Sequence, residues 1–258
     1  MQANTKTPYL PGKFIWFEHV SNDLAKARAF YEPLFGWHTE AMPIGGQTYH
    51  MLLNGNQGIG GLRTGDAGTP NHWISYMSVK NVDEGVKAAT AAGAKLLMPP
   101  TDFPTVGRGA GLADPTGAAF CLWTSDKGDE PDGDVPVGSF VWNELSTTDA
   151  KKALAFYEKA FGYTHSAMDM GEQGTYYILN TGGDKGRAGL FQPKEPMPTM
   201  WLPYVHVEDC DATFAKAQKL GSGFVAMPPT DIPTVGRIAI FGDSLGAAIA
   251  VLKPDPKM

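Results

Sequence analysis

"FIWFEHVSNDLAKARAFYEPLFGW" (Phe14–Trp37) returns as "FVWNELSTTDAKKALAFYEKAFGY" (Phe140–Tyr163), 126 positions later. Each copy opens on an apolar, aromatic and β-branched run, which suits a strand. An Asx residue follows, Asn22 or Asp23 in the first copy, able to accept a bond from a first-turn N–H. Ala27, Phe30, Tyr31 and Leu34 then fall at i, i+3, i+4 and i+7, the apolar stripe of an amphipathic helix. Gly36 can take the left-handed conformation that ends it. The segment predicts a strand, a helix and a stop, twice.

The rest of the chain keeps the same register. "WISYMSV" (Trp73–Val79) is echoed by "WLPYVHV" (Trp201–Val207), and "DPTGAAF" (114–120) by "DSLGAAI" (243–249). "MPPTDFPTVGR" (Met98–Arg108) recurs as "MPPTDIPTVGR" (Met227–Arg237) with one change. Within a half the order also repeats. "FIWFEHV", a helix and the short strands around "QTYHMLLNG" and "GIGGLRT" are followed by "HWISYMSV", the helix "VDEGVKAATAAG" and the hairpin "GRGAGLADPTGAAFCLW". In "DPTG", Asp, Pro and Gly supply turn chemistry. The chain therefore reads as four β-α-β-β-β modules, an α+β protein made by tandem duplication. The expected domains are 11–125 and 138–253. Between them, the acidic, Gly- and Pro-rich "SDKGDEPDGDVPVG" gives a linker at 126–137.

Bulk properties exclude several classes. The 258 residues are 43% hydrophobic and 19% charged, with net charge −6, so nothing electrostatic favours nucleic acid. No apolar run approaches the ~18–20 residues of a membrane span. The first ten residues have no basic start or apolar core of the signal-peptide kind. Cys121 and Cys210 occupy unmatched repeat positions, so a reducing, cytoplasmic setting is expected for a monomer or homodimer.

At "D…AFYEPLFGW" and "D…AFYEKAFGY" after a first strand, and "DPTG" and "DSLG" before a last one, the chain resembles the vicinal oxygen chelate superfamily. That superfamily includes glyoxalase I, bleomycin-resistance proteins and extradiol dioxygenases. The resemblance runs from about Phe14 to Leu252. "FVWNELSTTD", "WLPYVHVEDCDAT" and "PPTDIPTVGR" look like the two-domain glyoxalase-like group that includes a mycobacterial 27-kDa antigen. It implies paired modules whose mainly antiparallel sheets form open cups, with helices outside and the site within a cup.

The resemblance also says where a divalent metal would be held. Its ligand places fall on Trp16, Ile74, Cys121 and the stretch Gly60–Leu62 in the first half, and on Trp142, Leu202 and Ala250 in the second. Trp, Ile, Leu and Ala are not metal ligands. No cofactor is therefore expected. The alternative is a relocated divalent ion held by Glu144 and His206, because strand residues two apart share a face.

What the cups offer instead is aromatic and acidic. Trp16, Trp142, Tyr76 and Tyr204 would line them, with His206 and Cys121 nearby, as befits a pocket for a small planar molecule. Glu18 and Glu144 lie on otherwise apolar strands, where a carboxylate needs a partner. They are candidate general bases, because proton abstraction by Glu is common chemistry in the superfamily resembled. The alternative role is an ion pair with a nearby Arg. Arg108 and Arg237 are candidate partners or grips on an anionic ligand. A tight two-residue turn at Pro115–Thr116 would pair residue 108 with 123 and aim Arg108 into the cup. A Gly bulge at Gly117 would shift the register by one and turn it away.

The expected function is binding of a small apolar or aromatic molecule, without the usual metal and with Glu-assisted proton transfer. The alternatives are a metal-dependent lyase, isomerase or dioxygenase, and a ligand-sequestering protein.

Overall fold

A computed structural model of the chain describes residues 7–44, 47–195 and 197–255. Four modules appear in the expected order. The first has β1 (Phe14–Ser21), α1 (Leu24–Phe35), β2 (His38–Ile44), β3 (Gln47–Asn54) and β4 (Gln57–Thr64). The second has β5 (His72–Ser78), α2 (Val82–Ala91), β6 (Lys95–Phe103), β7 (Gly107–Ala113) and β8 (Ala119–Ser125). The third has β9 (Phe140–Ser146), α3 (Ala150–Phe161), β10 (Thr164–Asp169), β11 (Thr175–Thr181) and β12 (Lys185–Phe191), with a 3-10 turn at Gly171–Gln173. The fourth has β13 (Met200–His206), α4 (Cys210–Lys219), β14 (Val225–Ile232), β15 (Gly236–Gly242) and β16 (Ala248–Pro254).

The strands form two curled eight-stranded sheets of matching order, β2-β3-β4-β1-β5-β8-β7-β6 and β10-β11-β12-β9-β13-β16-β15-β14. Within each module the first and last strands are parallel and the others antiparallel. Asp23, Asn81, Asp149 and Asp209 cap the four helices through their side chains. Gly36 and Gly162 end α1 and α3 at φ 75 and φ 69. No helix among the described residues is long and apolar enough to cross a membrane.

Two compact units divide the chain, and they do not follow the sequence halves. One gathers modules two and three (Ser75–Gly133 and Asn143–Trp201, with the chain up to Ile15). The other gathers modules one and four (Trp16–Ile74 and Leu202 onward, with Asp134–Trp142).

In the first unit α2 packs on α3, and Phe120 meets Phe156, Tyr157 and Phe161. The Tyr157 hydroxyl donates to Asp114 Oδ2 at 3.0 Å and accepts from Trp201 Nε1 at 3.0 Å. Asp114 Oδ1 takes the Thr116 and Ala118 N–H groups. In the second unit α1 packs on α4, and the arrangement repeats. Tyr31 donates to Asp243 Oδ2 at 2.9 Å and accepts from Trp73 Nε1 at 2.9 Å, while Asp243 Oδ1 takes the Leu245 and Ala247 N–H groups. The "FYE" tyrosines and the turn aspartates are thus one structural device, each module supplying half. The turn chemistry was legible in "DPTG"; the tyrosine acceptor was not, because donor and acceptor lie in different modules.

Two aspartates of the stretch 126–137 are held by other segments. Asp129 is buried and accepts from Leu10 N at 2.6 Å and Ser78 Oγ at 2.5 Å. Asp132 pairs with Lys13, Lys185 and Arg187. Burial opposes its ionisation, but those cations hold its carboxyl well below the usual range.

Candidate functional site

On β1, Phe17 and His19 turn toward the helices, and His19 packs edge-on to Tyr31 of α1. Trp16 and Glu18 therefore share the opposite face, the cup face of module one. Glu18 stands beside Gly61 of β4 in parallel register, and Arg63 follows two residues along the same face. Tyr49 of β3 reaches across Gly61. The Trp16 indole N–H donates to the Tyr49 hydroxyl at 2.9 Å, Tyr49 is hydrogen-bonded to Glu18, and Arg63 Nε donates to Glu18 Oε1 at 2.5 Å. The Glu18 side chain is 4% exposed and the Arg63 side chain 45%. Burial and the neighbouring Glu18 carboxylate push the Tyr49 phenol well above its ordinary pKa, so it remains a proton-bearing donor.

The "GIGG" run is what leaves room for this cluster. A Cβ on Gly61 would lie 1.8 Å from the Tyr49 hydroxyl oxygen, and one on Gly60 would lie 2.2 Å from the Phe17 carbonyl oxygen. Gly61→Ala is expected to expel Tyr49 and break the Trp16–Tyr49 bond while leaving the helical content intact. The Trp16 indole N–H resonance reads this directly: it should move to the position of a solvent-exposed indole.

Module three carries a related but different cluster. Glu144 stands beside Gly189 of β12, as Glu18 does beside Gly61, and its Oε2 accepts from the Tyr176 hydroxyl at 2.8 Å. The position matching Arg63 is Phe191, whose ring lies near-parallel to Tyr176 with centroids 6.4 Å apart. Trp142, half-buried, precedes Glu144 on the same strand face.

In module two, Tyr76 of β5 lies beside Cys121 of β8 in parallel register, and Cys121 is buried. The Trp123 ring meets Tyr76 edge-on at 6.0 Å and Phe103 at 5.5 Å, and it covers Gly109, where a Cβ would come within 2.8 Å. In module four, Tyr204 is buried beside Ala250. His206 ends that strand, its Nδ1 2.7 Å from the Val135 carbonyl. It borders a cleft of about 220 Å³ with Phe35, Val137 and the start of α4.

Arg108 and Arg237 do not reach a cup. The hairpin takes the bulged register: Gly117 has φ 104, Arg108 pairs with Thr124, and Gly109 pairs with Trp123. Arg108 forms a two-pronged bond to Asp83 in the first turn of α2, at 2.8 and 2.9 Å, and a third bond to Asp102. Arg237 repeats this with Asp211 of α4 and Asp231. The duplicated "MPPTD[F/I]PTVGR" is therefore a clasp between hairpin and helix, needed once per half. Its Thr105 and Thr234 sit at φ 69 and φ 66, the left-handed turn position.

The places where the resemblance puts metal ligands do not supply a donor set. At Trp16 an indole N–H is already given to Tyr49, Ile74 has no lone pair, and Cys121 is a buried thiol. Glu18, the carboxylate nearest those places on β1, carries a guanidinium against it. Among the described residues no three His, Cys, Asp or Glu side chains group as a metal site requires.

Tyr49, Arg63 and Trp123 are the residues sequence reasoning passed over. Tyr49 had a signal in the shared "TY" of "QTYHM" and "GTYYI". Arg63 lies one residue beyond Gly60–Leu62, the ligand place that the resemblance implies.

A family model described as glyoxalase/bleomycin resistance protein/dioxygenase superfamily matches residues 13–122 and 139–251. The chain is 36% identical to the protein CFP32 of Mycobacterium tuberculosis, whose name carries a provisional glyoxylase label, over 98% of both chains. It is 32% identical to the anthracycline biosynthesis protein DauV of Streptomyces sp. strain C5, over 96% of this chain and 95% of the other. Among solved structures, the Mn(II)-bound glyoxalase from Novosphingobium aromaticivorans superposes with TM-score 0.68 at 16% identity, covering 94% of this chain and 82% of that one. The 2,2',3-trihydroxybiphenyl 1,2-dioxygenase of Sphingomonas wittichii gives 0.64 at 16% identity, covering 96% and 91%.

Proposed function

Because the chain belongs to the glyoxalase/bleomycin resistance protein/dioxygenase superfamily, we propose that it binds a small apolar or aromatic molecule on the cup face carrying Trp16, Tyr49, Glu18 and Arg63. In this reading binding needs no divalent metal, and Glu18 moves a proton on the bound compound. The observation that carries it is a polar chain on an aromatic wall. Trp16, Tyr49, Glu18 and Arg63 are bonded in sequence where a metal centre would need imidazoles and carboxylates. A half-buried indole offers stacking area to a planar ligand. The Glu18 carboxylate accepts a proton, Tyr49 supplies a fixed hydrogen-bond donor, and Arg63 balances negative charge that develops on the ligand.

The relationship to an anthracycline biosynthesis protein agrees with this choice of ligand, since anthracyclines are fused aromatic ring systems. A reducing, cytoplasmic setting is part of the reading, because Cys121 and Cys210 are both buried free thiols. Burial also pushes the Cys210 thiol up to about 11, away from reactivity.

A thermal-shift screen of planar aromatic compounds against the purified protein tests the proposal. At least one class should raise the melting temperature of the wild type and leave that of Trp16→Ala unmoved. Compounds that stabilise both proteins equally would put the binding elsewhere.

A further inference from the structure

The two halves differ in charge at the centre of their clusters. Arg63 and Phe191 occupy the same register position, the first beside Val20 of β1 and the second beside Ser146 of β9. Each is two residues along from the glycine that faces the glutamate. Four members of the pair are matched, Trp16 with Trp142, Glu18 with Glu144, Tyr49 with Tyr176 and Gly61 with Gly189, while His72 near Glu18 and Arg63 has Met200 as its counterpart. One cluster is thus capped by a half-exposed cation, the other by an apolar ring stacked on its tyrosine.

From this we infer that the module-one cup takes an acidic aromatic ligand, a planar ring bearing a carboxylate or comparably acidic oxygen, and that residue 63 sets this preference. The inference rests on the small-molecule reading above and adds the ligand's charge. An aromatic carboxylate brings two features that this surface answers separately. Its ring has the Trp16 face, and its anion has a guanidinium whose side chain is 45% exposed. A guanidinium recognises a planar carboxylate better than a point charge does, because its N–H groups lie in one plane. The buried Glu18 disfavours an anion placed deeper, so Arg63 also fixes which end of the ligand points outward. At Phe191 the same ligand would meet no cation from that position, and a neutral ring is the better fit there.

The test uses 15N-tryptophan-labelled full-length protein, with the Trp16 indole resonance assigned through Trp16→Phe. It is titrated with 2-naphthoate and with the neutral 2-naphthylmethanol. Wild type should bind naphthoate more tightly, with Trp16 shifting. Arg63→Phe and Arg63→Gln should lose about tenfold or more on naphthoate and little on the alcohol, while Arg63→Lys keeps part of the difference. Arg63→Gln carries the result if the phenylalanine variant does not fold. Equal naphthoate affinity in wild type and Arg63→Gln would overturn the inference and leave the aromatic site standing. If neither probe shifts Trp16 in wild type, the site reading fails too, and the inference with it.

Discussion

Asp243→Ala is expected to lower the unfolding free energy by about 3–5 kcal/mol, the cost of breaking a buried charged network by removing one member. Asp243 is fully buried and accepts from Tyr31, from the Leu245 and Ala247 N–H groups, and from His19 Nε2 at 2.8 Å. Alanine would leave the Tyr31 hydroxyl and the imidazole without that acceptor in a dry interior, and would also remove the turn's own cap.

The other unit supplies an internal control. Asp114 performs the same role for Tyr157, but the residue matching His19 is Leu145. His19→Leu should therefore cost less than Asp243→Ala, about 1–2 kcal/mol, since a leucine is already accommodated in the repeat. Urea denaturation of the variants with Asp114→Ala gives the ranking. Burial would raise the Asp243 carboxyl, but the His19 hydrogen bond and charge outweigh it and hold it below the usual carboxylate range. A depressed carboxylate contributes fully above its unfolded pKa and loses that contribution as the pH falls through its folded one. The gap between wild type and Asp243→Ala should then narrow below about pH 4. A gap under about 1 kcal/mol at neutral pH would contradict the network's role.

Glu18→Gln carries the second large effect. Glutamine keeps the size and can still accept from Tyr49, but it neither takes a proton at neutral pH nor balances Arg63. Ligand binding should persist within a few-fold. Exchange of an acidic proton of the bound compound with D2O, followed by NMR, should slow by about 10²–10⁴. Glu144→Gln serves as the comparison, since its cluster has Phe191 where Arg63 stands. A wild-type protein that returns its ligand with no deuterium would be a binding protein without proton transfer.

The fold was legible in the sequence because its signals are local and doubled. The helix stripe of Ala27, Phe30, Tyr31 and Leu34 is buried as the spacing predicted, and Asp23 and Gly36 bound it. Duplication then separated the module pattern from chance. The site was half legible. Trp16 and Glu18 show through alternation along one strand, a property of neighbours in sequence. Tyr49 and Arg63 join them only through the pairing of β1, β4 and β3, where the glycines at 60 and 61 leave the room that a Cβ would fill. Arg108 illustrates the opposite limit. Its direction hung on a single bulge residue, Gly117, and a one-residue shift moved its charge from cup to helix. The units that join modules across the halves were equally hidden, because the Asp243–Tyr31 and Asp114–Tyr157 bonds each span more than one module.

In the proposed function the Trp16 indole, the Tyr49 phenol, the Glu18 carboxylate and the Arg63 guanidinium hold the ligand without a divalent ion. Elemental analysis of the purified chain, paired with calorimetric titration of an aromatic ligand before and after chelation, tests it most directly. Substoichiometric metal is expected, with an affinity that is the same in EDTA, in added Mn(II) and in the untreated protein. One tightly held divalent ion per chain, whose removal abolishes binding and whose return restores it, would contradict metal-free binding.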